Sequence, residues 1–370
     1  MKSAILVSIC SILIAALYSY YPQLKSLYPE QFTTLENLLN QTIPGIIPAP
    51  LPEPTPFHGA RPNIELSETM SVVRTITKVF KAIEKAEGAG ARVRRSIGTP
   101  QLRNFSPFLM LDHFSVGIGA GFPDHPHRGQ ETITYLLHGS VDHEDFAGNK
   151  GTIYAGDLQF MTAGRGIVHA EMPGKNEDGS ANVGLQLWVD LPKDLKYCEP
   201  RYRDLRGEEI PIAKGEDGKV EVKVISGNSL GVDSLKDLAY TPVWMLDVTM
   251  HPGSRLQQQL PKGWNAFAYV LEGENIIFGE NAKVGQYYNV VFDQKGDGID
   301  VVLPDNAEKK ARFVLIAGQP HTHNVVQYGP FVVTSNEEVY QAMLDYQSNA
   351  NGFERARGWQ SEIGKAMLGA

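Results

Sequence analysis

From Ser71 onward the chain is divided by glycine-centred turns into short runs that alternate or are rich in β-branched side chains. Thr132-Ile133-Thr134-Tyr135-Leu136-Leu137 stops at Gly139, and residues 151–154 run into Ala155-Gly156-Asp157. Residues 185–189 alternate as Leu-Gln-Leu-Trp-Val. Residues 220–225, 244–250, 267–271, 299–303 and 313–317 carry the same pattern into the second half. Segments of strand length at this spacing predict a β-sandwich or barrel rather than βαβ units. The halves also echo one another: Tyr135-Leu136-Leu137-His138-Gly139 against Tyr269-Val270-Leu271-Glu272-Gly273, and Ala163-Gly164 against Ala317-Gly318. With 370 residues to bury, one small core is not enough. The expectation is an all-β protein of two stacked jelly-roll barrels.

Only the far end reads as helix. Ser335-Asn336-Glu337-Glu338 has the hydroxyl and glutamate of a capping box, and Val339, Ala342, Met343 and Tyr346 follow at helical spacing. Gly352 is the expected stop. At the front, residues 4–21 are mostly apolar behind the single charge of Lys2, with two tyrosines at the far edge. This segment predicts a signal-anchor, hence membrane attachment or entry to the secretory pathway. The prolines at 44, 48, 50, 52, 54, 56 and 62 make the next stretch an extended spacer. The expected organisation is an apolar segment (1–22), a proline-rich linker (23–69), a first barrel (70–205), and a second barrel with the terminal helix (206–370).

A net charge of -8 and a pI near 5.7 exclude a broad nucleic-acid footprint, which needs clustered cations. Arg92-Val93-Arg94-Arg95 is read as a solvated strand or loop. The two cysteines, Cys10 and Cys198, imply neither a disulfide framework nor a cysteine-rich zinc site.

The chemistry concentrates in the first half. His125-Pro126-His127 and His169-Ala170-Glu171 each place two ligands at i and i+2, and such residues share one face of a strand. Two neighbouring strands could aim three imidazoles and a carboxylate at one interior point. That donor set suits iron, manganese, nickel, copper or zinc. Glu131 is open as a fifth ligand or as a substitute for Glu171, because 125, 127, 131, 169 and 171 are all odd. Counting back from Tyr269 as His125 and His127 stand from Tyr135 lands on Gln259 and Pro261, so the second barrel should hold no such metal. His143 is expected on a loop or the barrel rim, within reach of a ligand, His138 facing solvent, and His321 and His323 on a loop.

At these residues the chain resembles the pirin family of the cupin superfamily. The resemblance rests on Met110-Leu111-Asp112-His113-Phe114, His125-Pro126-His127-Arg128-Gly129, Met161-Thr162-Ala163-Gly164-Arg165-Gly166-Ile167, His169-Ala170-Glu171-Met172-Pro173 and Gly184-Leu185-Gln186-Leu187-Trp188-Val189. It continues with Glu199-Pro200-Arg201-Tyr202, Pro261-Lys262-Gly263-Trp264 and Asn351-Gly352-Phe353-Glu354-Arg355-Ala356. The resemblance implies a bicupin whose first barrel binds Fe(II), or another divalent first-row metal, through His125, His127, His169 and Glu171. It leaves Glu131 outside the metal shell and the second barrel without metal. Two roles follow from it. One is a quercetin 2,3-dioxygenase acting on flavonols, with Glu171 or Glu131 taking the substrate's hydroxyl proton. The other is an iron- and redox-sensing transcriptional co-regulator that binds transcription factors in the nucleus and cytoplasm without touching nucleic acid directly. A monomer is expected. The apolar segment and proline-rich spacer depart from the family and sit badly with a free nuclear protein.

Overall fold

The computed structural model describes Leu66, then residues 70–365 except 216 and 236–238. The signal-anchor and nearly all of the proline-rich linker read from the sequence lie outside these residues. Among the described residues no helix is long and apolar enough to cross a membrane.

The body is two β-barrels packed side by side. The strands of the first are introduced by β1 (Ile76–Lys81), followed by β2 (Ile83–Glu87), β3 (Ala91–Arg95), β4 (Phe108–Val116), β5 (Phe122–His127) and β6 (Gln130–His138). After them come β7 (Ser140–Asp145), β8 (Lys150–Tyr154), β9 (Leu158–Thr162), β10 (Ile167–Pro173), β11 (Asn182–Asp190) and β12 (Arg201–Leu205). One wall is the sheet β12-β9-β6-β11-β4-β3-β2; the other is β5-β10-β7-β8. The second barrel repeats this with a larger sheet containing Val243–Met250, Asn265–Glu272 and Ala311–Gly318, and a smaller one built on Ser254–Gln259 and Gly298–Leu303.

Alternation explains how the large sheets are used. Ile133, Tyr135, Leu185 and Leu187 point away from the first barrel and pack against Met245, Phe267, Tyr269 and Ile316 of the second, forming one apolar layer between the barrels. Both faces of the sheet are buried, so strand alternation here sorts one interior from another rather than core from solvent. The second barrel's own interior is filled by Val222, Leu246, Ala268, Phe278 and Phe313, all fully buried. It is a solid core. The first barrel's interior instead carries histidines, carboxylates and amides around a cavity.

The two ends of the body are exchanged between the barrels. β1, from the residues preceding the first barrel, pairs with Tyr288–Phe292 in the second. The terminal helix α1 (Asn336–Ser348) and the segments flanking it pack on the first barrel, where Phe331, Ala342 and Phe353 surround Val168. Arg128 fixes this return: its guanidinium donates to Asp345 Oδ2 at 2.6 Å, to Arg165 O at 2.7 Å and to Asn351 O at 2.5 Å, and lies 4.8 Å from the Phe353 ring centre. Ser335 caps the helix as expected, accepting from Glu338 N at 3.2 Å, but Glu338 reaches back to Thr334 N rather than to the cap residue. The helix also stops before Gly352, at Asn349, whose φ of 52° places it in the left-handed region that Asn tolerates.

Candidate metal centre

The predicted ligand pairs lie on adjacent antiparallel strands. In the β5–β10 ladder His125 stands opposite His169, and His127 opposite Ile167. A register shift between His169 and Glu171 turns the ladder just where the carboxylate leaves it. The three imidazoles converge, with His125 Nε2 and His169 Nε2 3.0 Å apart and ring centres 4.4–5.0 Å apart. Ligand atoms of all three lie within 4.8 Å of one another. Two donors about 2.1 Å from one ion at adjacent octahedral vertices are about 3.0 Å apart, so the observed spacing is that of a coordination edge.

The ring nitrogens facing away from this point are held from behind. His125 Nδ1 meets Pro123 O at 2.8 Å, which places its proton there and leaves Nε2 a lone pair. His127 Nδ1 meets the Gln130 side-chain amide at 2.6 Å, and His169 Nδ1 meets Tyr202 Oη at 3.4 Å. The amide nitrogen of Gln130 is placed at His127 Nδ1 and its buried oxygen is left without a partner; turning the amide over lets the oxygen accept from Nδ1–H and leaves His127 a lone pair at Nε2. That Nε2 is buried with no hydrogen-bond partner, a costly arrangement for a polar atom unless an ion is to be bound. Burial, together with the neighbouring His125, holds the imidazoles of His127 and His169 well below the usual histidine range. Neutral rings are what coordination requires. The donor set and the orphaned nitrogen fit a divalent metal.

Glu171 stands at the edge of this triad, its Oε2 3.9 Å from His169 Nε2. Gln186 Nε2 donates to Glu171 Oε2 at 3.2 Å, and Thr134 Oγ1 lies 3.2 Å from Glu171 Oε1 and 2.6 Å from Gln186 Oε1, the nearer acceptor for its one proton. Burial raises its carboxyl above the ordinary glutamate value, opposed chiefly by His125. Glu131 is placed elsewhere. It accepts from Thr162 Oγ1 at 2.8 Å, Tyr240 N at 3.0 Å and Thr241 N at 3.1 Å, and so ties the first barrel to the connection leading into the second. The turn at Arg128-Gly129 separates β5 from β6, so residue parity does not carry from His127 to Glu131. Gly129 has φ +74°, and a Cβ there would meet Val332 O at 1.9 Å.

His143 is not on a loop or rim. It is buried on β7 opposite Glu171, its Nε2 lies 3.4 Å from Asp204 Oδ2, and its ring stacks on Tyr202. It therefore packs on the ring of Tyr202, whose hydroxyl meets His169. His138 is exposed and bonds Ser180, as expected. His321 and His323 do sit on a loop, but their stacked rings press on Asp190, with His323 Nε2 3.5 Å from its carboxylate. These three could geometrically hold a cation. The buried Lys196 ammonium already bonds Asp190 Oδ1, as well as Gly129 O and Val332 O, and supplies the positive charge there. The cluster is an ion-pair junction.

A cavity of about 1040 Å³ opens on the metal side of the first barrel. His125, Thr134, Glu171, Gln186 and Trp188 line it, and Val325–Gln327 from the second half close part of its mouth. Trp188 also stands edge-on to His127, ring centres 5.0 Å apart. The sequence assigns no site role to Thr134; the alternation of 185–189 carries the signal for Gln186 and Trp188, because it puts them on the face opposite Leu185 and Leu187.

Residues 90–189 match the family described as Pirin, and residues 245–352 the Pirin C-terminal cupin domain. Human Pirin is 48% identical over 298 residues, covering 80% of this chain and 100% of the human protein. The chain belongs to the pirin family. The tomato Pirin-like protein is 47% identical over 299 residues, or 81% of this chain and 100% of that one. Among solved structures, a quercetin 2,3-dioxygenase from Acinetobacter baumannii superposes with a TM-score of 0.69 at 26% identity, covering 75% of this chain and 98% of that one. The bacterial pirin YhhW of Escherichia coli, solved with nickel(II), shares the fold at a TM-score of 0.52 and 19% identity, over 66% and 99% of the chains. The pirin identity and the bicupin fold stand as expected.

Proposed function

We propose that this pirin-family protein is a metal-dependent dioxygenase of the quercetin 2,3-dioxygenase type, with Fe(II) held by His125, His127, His169 and Glu171. The observation that carries the reading is the cavity. A space of about 1040 Å³ meets the imidazole triad at a buried carboxylate, whereas the second barrel's interior is occupied by buried apolar side chains. The solved quercetin 2,3-dioxygenase that superposes on this chain supports the substrate class.

The reaction opens the flavonol heterocycle with dioxygen and expels one ring carbon as carbon monoxide. A metal bound at the triad would supply Lewis-acid polarisation of the substrate's oxygens and the redox partner for dioxygen. The residues do the rest. Glu171 takes the proton of the flavonol 3-hydroxyl at a carboxylate oxygen. Gln186, itself held by Thr134, keeps the carboxylate in the orientation for this transfer. Trp188 and the apolar wall position the planar substrate and exclude water. Glu131, saturated by Thr162 and two backbone amides, is not available as the base.

The test is turnover. Iron-loaded full-length protein incubated aerobically with quercetin should bleach the flavonol absorbance and release one carbon monoxide per flavonol consumed, and the metal-stripped protein should do neither. Equal rates with and without metal, or bleaching without carbon monoxide, would refute the reaction.

A further inference from the structure

The cavity wall contains a continuous polar row that the metal centre alone does not explain. In the first barrel's large sheet Thr134 pairs with Gln186, Gln186 with Asp112, and Asp112 with Arg95. The four are neighbours on successive strands β6, β11, β4 and β3, and all four line the cavity. At the usual strand spacing, the row extends about 14 Å from Thr134 to Arg95. It begins at the metal side, where Gln186 bonds Glu171 and Thr134 lies beside it. It ends in a fork: Arg95 Nε and Nη2 donate to the two oxygens of Asp112 at 2.7 and 2.6 Å, and Nη2 also to Glu87 at 2.8 Å. Arg95 Nη1 makes no protein hydrogen bond among the described residues, and the residue is only partly buried. Arg95 thus lines the cavity with its guanidinium anchored by two carboxylates and one nitrogen not engaged by protein among the described residues.

We infer that the Arg95–Asp112 pair is the distal recognition site for a hydroxyl-bearing aromatic ring of the substrate, whose other end is held at the metal centre. This rests on the flavonol reading and narrows it to substrates hydroxylated at a remote ring. The length of the row, about 14 Å from Thr134 to Arg95, is about that of a planar three-ring polyphenol laid along it. The ring's hydroxyl oxygens accept from Arg95 Nη1, and Asp112, already oriented by Arg95, accepts a hydroxyl proton in return. The residues are specificity-determining and do not touch the reacting atoms.

The experiment measures affinity for quercetin and for 3-hydroxyflavone, which keeps the metal-binding hydroxyl and ketone but has no remote hydroxyls, on anaerobic metal-loaded full-length protein. Wild type should bind quercetin at least about tenfold more tightly, the factor expected of one hydrogen bond to a charged group. Arg95→Gln should remove that preference by weakening quercetin alone, leaving 3-hydroxyflavone within about twofold and the metal content unchanged. Arg95→Lys, which keeps the charge but not the fork, provides the same comparison should the first variant fold poorly, and should lose most of the preference. Equal affinity of wild type for the two compounds, or equal weakening of both in the variants, overturns the inference while the flavonol reading stands. If wild type binds neither compound, both fall.

Discussion

Glu171→Gln should lower quercetin turnover by about 10³-fold, whereas Glu131→Gln should leave turnover within a few-fold of wild type. The two carboxylates are similarly buried, and both carboxyl groups are raised by burial, so depth does not distinguish them. Their partners do. Glu171 faces the triad and the cavity and is held by the Gln186 amide, so the amide replacement removes a charged donor and the proton acceptor at once. Glu131 faces the connection between the barrels, where its oxygens accept from three groups. An amide there points a donor at donors and should cost about 1–3 kcal/mol of stability without disturbing the centre. Steady-state kinetics and urea unfolding on both variants check this. A ranking in which Glu131→Gln is the dead enzyme and Glu171→Gln the unstable one would reverse the assignment.

Arg128→Ala should be the most destabilising single change near the site, by about 3–5 kcal/mol. Arg128 and Asp345 are both about 1% exposed, and removing one partner leaves the other's charge buried. Truncation also deprives Arg165 O and Asn351 O of their donor and takes the stacked guanidinium from Phe353. Because Arg128 follows His127 directly, loosening of the returning helix should also lower metal affinity. The double variant Arg128→Met with Asp345→Leu should recover part of the stability: it strands no charge, but it still leaves Arg165 O and Asn351 O without their donor and the Gln341 and Asn351 side-chain amides without their acceptor. Chemical unfolding of wild type and the two variants tests this, and a single-variant loss below about 1 kcal/mol would show that the pair does not hold the terminal segment in place.

Much of this was legible in the sequence because it depends on local period. The i, i+2 ligand pairs, the alternating strands, the hydroxyl cap at Ser335 and the missing histidines at Gln259 and Pro261 are all short-range patterns. What could not be read depends on pairing across the fold. Parity left Glu131 undecided because it resets at the Gly129 turn, and only the strand order shows that Glu131 faces the other barrel. His143 looked like a loop residue inside a run of charges, yet alternation on β7 turns it inward. Gln186 and Trp188 read as the outer face of an ordinary strand, and their place in a cavity wall becomes visible only because that sheet has an interior on both sides. The exchange of β1 and α1 between barrels has no local signature at all, and neither does the row from Thr134 to Arg95.

The most direct test of the centre is the metal-to-chain ratio and X-ray absorption spectrum of iron-loaded wild type and His127→Ala. One iron per chain, with imidazole scattering that requires His127 and is lost or greatly diminished in the variant, is the predicted result. Equal iron content and identical spectra in the two proteins would contradict a centre built on the His125, His127 and His169 triad.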